Sequence, residues 1–172
     1  LYPLTYGISK QLLPVYDKPM IYYPLSVLMI AGIKDILVIS RSKDIESYKS
    51  LLGDGSKIGI KISYMIQLKP NGIAESLVLG YDFISNDDIC LILGDNIFHG
   101  KKLIKYINQA KSNLQNENST IFGVQVDNPS DFGVVEFDGI GNVISIKEKP
   151  KNPKSNLIVS GIYFYKNNVK DM

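Results

Sequence analysis

The clearest sign of the fold is the stretch Ile89-Cys90-Leu91-Ile92-Leu93, which runs directly into Gly94-Asp95-Asn96. Five consecutive apolar residues are typical of a strand that is buried on both faces of a sheet. A glycine and two polar residues follow at its carboxyl end, where open α/β sheets collect their ligands. The stretch therefore predicts an inner strand with a functional residue, Asp95, just beyond it.

Upstream of this stretch, strand-like and helix-like segments alternate. Strands are predicted at residues 36–40, 61–66 and 89–93, and helices at 20–31, 44–52, 73–83 and 101–113. Within the helix at 73–83, we expect Ala74, Leu77, Val78 and Tyr81 to face inward. The alternation indicates βαβ units and an α/β fold with a mostly parallel sheet and helices on both faces.

After Thr120 the pattern changes to strands alone. Residues 120–126, 134–137, 143–147 and 158–165 are all strand-like, and Gly139-Ile140-Gly141-Asn142 forms a turn between the middle two. This half is expected to add antiparallel strands. No linker or repeat is evident, so residues 1–172 are predicted to form a single domain.

Composition narrows the class of protein. A net charge of +2 over 172 residues gives no basic surface for nucleic acid, and no apolar run is long enough to cross a membrane. Cys90 is the only cysteine, which agrees with a reducing compartment and predicts a cytoplasmic protein. Arg41 is the only arginine, so phosphate contacts must come from lysines or backbone N–H groups.

Two strand ends carry candidate ligands for a nucleotide. Asp95 could hold a hard cation such as Mg²⁺ through its carboxylate, or it could simply cap a turn. Gln67 follows the strand at 61–66 and offers the donors and acceptor that read a pyrimidine edge. Gly72 would let the backbone approach a base, although Pro70-Asn71-Gly72 could also be an ordinary turn.

Three charged residues are candidates for phosphate and sugar. Lys10 could contact a triphosphate as a mobile point charge, or it could be solvated. Glu148 and Lys149 end the strand at 143–147 and could bind a sugar hydroxyl and a sugar phosphate; the alternative is a charge pair in solvent.

Several segments together resemble the sugar-1-phosphate nucleotidyltransferases, and most specifically the members that use dTTP. The most telling is Ser9-Lys10-Gln11-Leu12-Leu13-Pro14-Val15-Tyr16-Asp17-Lys18-Pro19, which continues through Leu25. Leu93-Gly94-Asp95-Asn96, Gly72-Ile73-Ala74, Glu148-Lys149-Pro150 and Gly161-Ile162-Tyr163-Phe164-Tyr165 match other family segments. The resemblance implies a Rossmann-like nucleotidyltransferase domain, an enzyme that transfers a nucleotidyl group from dTTP to glucose 1-phosphate with Mg²⁺ as cofactor.

The same resemblance implies a role for each candidate. Nucleotide would contact Lys10, Gln67, Gly72 and Asp95, and Asp95 would also hold the metal. Sugar phosphate would contact Gly133, Glu148, Lys149 and Val159, with Lys10 and Lys149 as the catalytic cations. Family members are commonly homotetramers, so a homo-oligomer is expected.

Resemblance also implies that the domain is incomplete. The family's glycine-rich loop would precede Leu1, and a second metal-binding carboxylate would follow Met172. Two alternatives stay open: a relative that uses UTP or CTP, and a non-catalytic module that binds a sugar nucleotide. A dinucleotide-dependent oxidoreductase is disfavoured, because no G-x-G-x-x-G follows a predicted strand.

Overall fold

A computed structural model describes residues 1–69 and 71–171. Five α-helices occur in the described chain: α1 (Tyr22–Ile30), α2 (Ser42–Leu52), α3 (Glu75–Leu79), α4 (Tyr81–Ile84) and α5 (Leu103–Gln115). Its strands are β1 (Pro14–Val15), β2 (Lys18–Pro19), β3 (Asp35–Ser40), β4 (Lys61–Ile66), β5 (Ile89–Ile92), β6 (Thr120–Gln125), β7 (Gly133–Phe137), β8 (Val143–Glu148) and β9 (Leu157–Tyr165). The predicted α/β class, with antiparallel strands in the C-terminal half, is confirmed.

The parallel part of the sheet is the pair β3 and β4, which runs from Asp35 opposite Lys61 to Ser40 opposite Ile66. Strands β1 and β2 form a separate antiparallel pair. A five-stranded sheet has the order β5-β9-β7-β8, with β6 also paired to β9. Here β5 pairs antiparallel with β9, and the β7–β8 hairpin is antiparallel as well. The β3 and β5 edges are not paired with each other among the described residues; both strands line a cavity instead.

Helix α1 joins the two halves because its opposite sides belong to different cores. Leu25 and Leu28 pack with the apolar residues of α2, β3 and β4. Val27 packs with α5 and β9, where Ile107 and Phe164 are almost fully buried. Apolar residues on more than one side of a helix are what burial between two layers requires.

The segment predicted as one helix over residues 73–83 is two short helices. They meet at Gly80, which is buried; an added Cβ there would lie 3.0 Å from the Ser76 carbonyl and 3.4 Å from Leu37. The predicted inward face is wrong, because Val78 is 70% exposed and Tyr81 47% exposed. Ala74 is exposed too, and only Leu77 of the four is partly buried. The segment instead turns Gly80 toward β3, where the absence of a side chain permits close packing.

Among the described residues, none of the helices has the length and apolar character needed to cross a membrane.

Candidate active site

Asp95 lies just beyond the end of β5, and its loop is fixed by contacts to β9. Leu93 N–H donates to the Gly161 carbonyl at 2.9 Å, and Asn96 Nδ2 donates to the Ser160 carbonyl at 2.8 Å. Gly94 leaves space for this arrangement, since a Cβ there would come within 3.2 Å of both Gln11 and Ile21. The loop that carries Asp95 is therefore anchored to β9 by one hydrogen bond before that residue and one after it.

Lys10 is brought to the same loop. Its Nζ lies 3.0 Å from Asp95 Oδ2, although the two residues are 85 positions apart in the sequence. Both side chains are partly open to solvent. The ion pair places a mobile cation beside the candidate metal ligand.

Gln11, the neighbour of Lys10, belongs to a small polar network. Gln11 Oε1 accepts from Ser9 Oγ at 2.6 Å and from the Tyr48 hydroxyl at 3.4 Å. Ser9 is buried, and burial raises the pKa of the Tyr48 hydroxyl above its usual value. Gln11 also lines a cavity between β3 and β5. Sequence reasoning missed this residue, because its contact with Tyr48 spans 37 positions and forms no local pattern.

Gln67 and Gly72 lie together at the end of β4. Gln67 N–H donates to the Ser40 carbonyl at 2.9 Å, which extends the pairing of β3 and β4 by one residue. Gly72 has a φ of 101°, a left-handed conformation that glycine adopts without strain. Pro70, the first residue of the predicted Pro70-Asn71-Gly72 turn, lies outside the described residues.

Two cavities adjoin these residues. The first, about 1020 Å³, lies between β3 and β5, and among its lining residues are Gln11, Gln67, Gly72 and Asp95. The second, about 680 Å³, lies against β7, β8 and β9, and among its lining residues are Asp95, Gly133, Glu148 and Val159. We call them the nucleotide-side and the sugar-side cavity, after the contacts that the sequence analysis expects of these residues. Asp95 lines both. The structure thus brings six of the eight predicted site residues to two adjoining cavities, which share Asp95 and four apolar residues, Ile73, Leu77, Leu91 and Leu93.

Gly133 and Glu148 are direct partners across the β7–β8 hairpin. A Cβ on Gly133 would lie 3.3 Å from Glu148 Oε2 and 3.9 Å from Val159, so the three residues form one wall of the sugar-side cavity. Burial, and secondarily the charge of Glu148, raise the pKa of the Tyr163 hydroxyl. The wall therefore combines a carboxylate acceptor with the backbone of a half-buried glycine.

Lys149 stands apart from this wall. Its side chain is exposed, and neither Lys149 nor Lys10 is among the described residues that line the two cavities. Its backbone has a φ of 43°, and its N–H donates to the Phe132 carbonyl at 3.0 Å. A left-handed lysine is uncommon, and such strain tends to occur at functional positions.

One further polar group faces the sugar-side cavity. Ser160 Oγ is buried and has no hydrogen-bond partner among the described residues. Nearly all buried polar side chains are paired, so this hydroxyl is an exception beside the candidate site. Sequence reasoning did not single out Ser160 or Asn96, because neither forms a pattern without the β5–β9 pairing.

Metal binding at Asp95 would rest on few protein ligands. Within residues 1–69 and 71–171, no group of three or more His, Cys, Asp or Glu side chains is placed to hold a metal ion. A single carboxylate between two cavities still fits Mg²⁺, which usually keeps several waters and takes one or two carboxylates together with substrate phosphates. His99, the only histidine, is exposed and is not among the described lining residues of either cavity.

Several known proteins are similar to this chain. A glucose-1-phosphate thymidylyltransferase of Neisseria meningitidis is 57% identical over 167 residues, which cover 97% of this chain and 57% of that protein. The corresponding protein of Mycolicibacterium smegmatis is 51% identical over 172 residues, which cover 100% of this chain and 59% of that protein. The chain thus spans somewhat more than half the length of these curated relatives.

Solved structures agree with this similarity. A Bacillus anthracis structure, provisionally described as a glucose-1-phosphate thymidylyltransferase in complex with a sucrose, superposes with a TM-score of 0.90 at 38% identity. The match covers 99% of this chain and 68% of that one. A UDP-glucose pyrophosphorylase from Acinetobacter baumannii shares the fold at 20% identity, with a TM-score of 0.81 and coverage of 99% and 71%. The family description "Nucleotidyl transferase" matches residues 1–172 in full, and the chain therefore belongs to the nucleotidyl transferase family.

Proposed function

We propose that this protein is a glucose-1-phosphate thymidylyltransferase, which converts dTTP and glucose 1-phosphate into dTDP-glucose and pyrophosphate. The observation that carries the proposal is the position of Asp95, which lines both cavities. A nucleotide in one cavity and a sugar phosphate in the other would bring their phosphates together at this carboxylate. The curated relatives at 57% and 51% identity bear that name, which supports the choice of substrates.

The reaction is a displacement at phosphorus. A phosphate oxygen of glucose 1-phosphate attacks the α-phosphorus of dTTP, the bond from that phosphorus to the bridging oxygen breaks, and pyrophosphate leaves. Phosphate is a competent nucleophile near neutral pH, so the protein needs no general base. Its contribution is positioning and neutralisation of charge.

Nucleotide binding is assigned to the first cavity. Gln67 and the backbone near Gly72 would contact the pyrimidine, and Lys10 would contact the triphosphate. Asp95 would hold Mg²⁺, which when bound supplies charge neutralisation at the phosphate oxygens. The contact between Lys10 and Asp95 supports this assignment, because it puts a cation and a metal-binding carboxylate within reach of one polyphosphate.

Sugar-phosphate binding is assigned to the second cavity. Glu148 would accept from sugar hydroxyls, while Gly133 and Val159 would line the ring. Lys149 would reach the sugar phosphate from the rim, and its strained backbone supports a functional role. These site residues, the cytoplasmic location and a homotetrameric assembly remain our proposals.

The test is turnover by the protein expressed from its complete reading frame. Purified protein is supplied with Mg²⁺, glucose 1-phosphate and one triphosphate at a time, and pyrophosphate release is followed. We expect turnover with dTTP. Turnover with UTP or CTP but not dTTP would assign a different nucleotide. Nucleotide binding without turnover under any of these conditions would favour the non-catalytic module.

A further inference from the structure

The base-reading residue Gln67 is itself held by a carboxylate. Gln67 Nε2 donates to Glu75 Oε2 in the first turn of α3, and Asn71 Nδ2 donates to Glu75 Oε1 at 2.9 Å. Both oxygens of Glu75 are thus engaged by amide groups from the segment that leads into Gly72. Those two hydrogen bonds, chiefly the one from Gln67, hold the pKa of the Glu75 carboxyl below its usual value, so the group is ionised at neutral pH.

An ionised carboxylate accepts hydrogen bonds and cannot donate them. The oxygen and nitrogen of the Gln67 amide are alike in shape, so the hydrogen bond decides which of them faces Glu75. That atom must be the nitrogen. A reversed amide would bring Gln67 Oε1 against a negatively charged oxygen, without a hydrogen between them. Glu75 consequently fixes which end of the Gln67 amide is left as acceptor.

This fixed order matters for the choice of base. Thymine and uracil present an N–H donor at N3 beside a carbonyl acceptor at C4, whereas cytosine presents an acceptor at N3 beside an amino donor at C4. For a base held in one position, an amide that suits the first pattern must be reversed to suit the second. Mispaired polar groups between the amide and the base weaken binding.

We propose that Glu75 is a positioning residue that makes Gln67 select thymine or uracil nucleotides against cytosine nucleotides. The inference rests on the proposed function, because it takes Gln67 as the base-reading side chain. The fixed amide orientation would disfavour CTP without any contact to the 5-methyl group of thymine. It would not distinguish UTP from dTTP.

The experiment measures equilibrium binding of dTTP, UTP and CTP by titration calorimetry, with the protein from its complete reading frame. In Glu75→Met the side chain keeps its length and loses the charged acceptor. We expect the preference for dTTP over CTP to fall about tenfold, because Gln67 can then turn either way. Glu75→Gln keeps an acceptor oxygen that still allows the native orientation, so it should retain part of the preference.

Two matched controls separate orientation from simple loss of structure. Asn71→Ala removes the other hydrogen bond to Glu75 and leaves the one from Gln67, so affinity for all three nucleotides should change by the same factor. Glu46→Met alters an exposed carboxylate that pairs with Lys49 at 2.8 Å on α2, and should change nothing. Thermal unfolding of each variant checks that it is folded.

The outcomes are distinguishable from those of the proposed function. A Glu75→Met protein that loses affinity for dTTP and CTP by equal factors would overturn the positioning role while the proposed function stands. Wild-type protein that binds none of the three nucleotides would contradict the proposed function itself. A preference for dTTP that also vanishes in Asn71→Ala would assign the effect to loop order and would equally overturn the proposal.

Discussion

Lys10 Nζ lies 3.0 Å from Asp95 Oδ2, so the candidate triphosphate contact and the candidate metal ligand are paired with each other when no substrate intervenes. The two side chains come from the turn before α1 and the loop after β5. A cation that binds Asp95 Oδ2 would compete with the Lys10 ammonium. That exchange would leave all three N–H groups of Lys10 for phosphate.

Removing Lys10 should therefore affect metal and nucleotide in opposite directions. In Lys10→Ala we expect Mg²⁺ to bind at lower concentration, because its competitor is gone, and dTTP to bind more weakly. Turnover should fall roughly a hundredfold in Asp95→Asn and should not recover at high Mg²⁺. Magnesium titrations of the pyrophosphate-release rate measure the Mg²⁺ dependence of Lys10→Ala and the turnover of Asp95→Asn.

The matched control is the exposed ion pair of Lys18 with Asp17, at 3.2 Å. Neither residue is among the described lining residues of the cavities, so Lys18→Ala should leave the magnesium dependence unchanged. A Lys10→Ala protein with an unaltered half-saturating Mg²⁺ concentration would contradict the competition between Lys10 and metal.

Gly161, the one glycine of β9, has no room for a side chain. Its φ is 77°, and a Cβ would overlap Asn96 Nδ2 and lie 2.8 Å from Leu93 Cδ1. Gly161→Ala should thus combine backbone strain with displacement of the Asp95 loop, at a cost of about 3 kcal/mol in the free energy of unfolding. Urea denaturation followed by circular dichroism measures it.

Gly53 serves as the comparison, because its φ is 58° and a Cβ there would meet nothing within 4 Å. Gly53→Ala should cost only about 1 kcal/mol, the strain alone. Equal losses of unfolding free energy in the two variants would show that the overlap of the new Cβ with Asn96 adds nothing to the backbone strain.

The features of the fold that could be predicted from the sequence are those set by residues close together in the chain. The strand at 61–66 is confirmed to the residue, since β-branched and apolar runs bounded by glycine and polar residues are local signals. The predicted inward face of Val78 and Tyr81 is wrong, because periodicity over one short segment does not say which side meets β3. Buried Gly80 decides the orientation, and its partner Leu37 is 43 positions away.

The same limit applies to the candidate site. Asp95, Gln67 and Glu148 could be selected because they follow strands, and strand ends are visible in the sequence. The pairing of Lys10 with Asp95 spans 85 positions and that of Asn96 with the Ser160 carbonyl spans 64. Contacts over such separations are set by the tertiary fold, so no local pattern in the sequence encodes them.

The left-handed backbone of Lys149 allows the contribution of its backbone to stability and that of its side chain to binding to be tested separately. Lys149→Ala and Lys149→Gly both remove the ammonium, and both should raise the KM for glucose 1-phosphate by at least about tenfold. Only glycine relieves the left-handed backbone, so Lys149→Gly should be more stable than Lys149→Ala by about 1 kcal/mol. Steady-state kinetics and urea denaturation of the pair test this; equal KM values for wild type and both variants would remove Lys149 from the sugar-phosphate site.

Cys90 gives a test of the packing of β5. Burial raises the pKa of its thiol to about 12, from an ordinary value of 9.0. The thiolate is the reactive form, so iodoacetamide should label Cys90 very slowly in the folded protein at pH 8 and quickly in urea. Because Cys90 is the only cysteine, intact-mass spectrometry reads the labelling directly.

The same shift predicts how stability depends on pH. Below about pH 9 the thiol is protonated in both folded and unfolded chains, so it adds no pH dependence. Between about pH 9 and pH 12 only the unfolded chain releases the proton, and folding stability should fall as the pH rises. Cys90→Ala should remove this contribution and flatten the decline in urea-unfolding free energy measured from pH 8 to pH 10.5. Rapid labelling of the native protein at pH 8, or an identical decline in the alanine variant, would show that Cys90 is not held in an apolar environment.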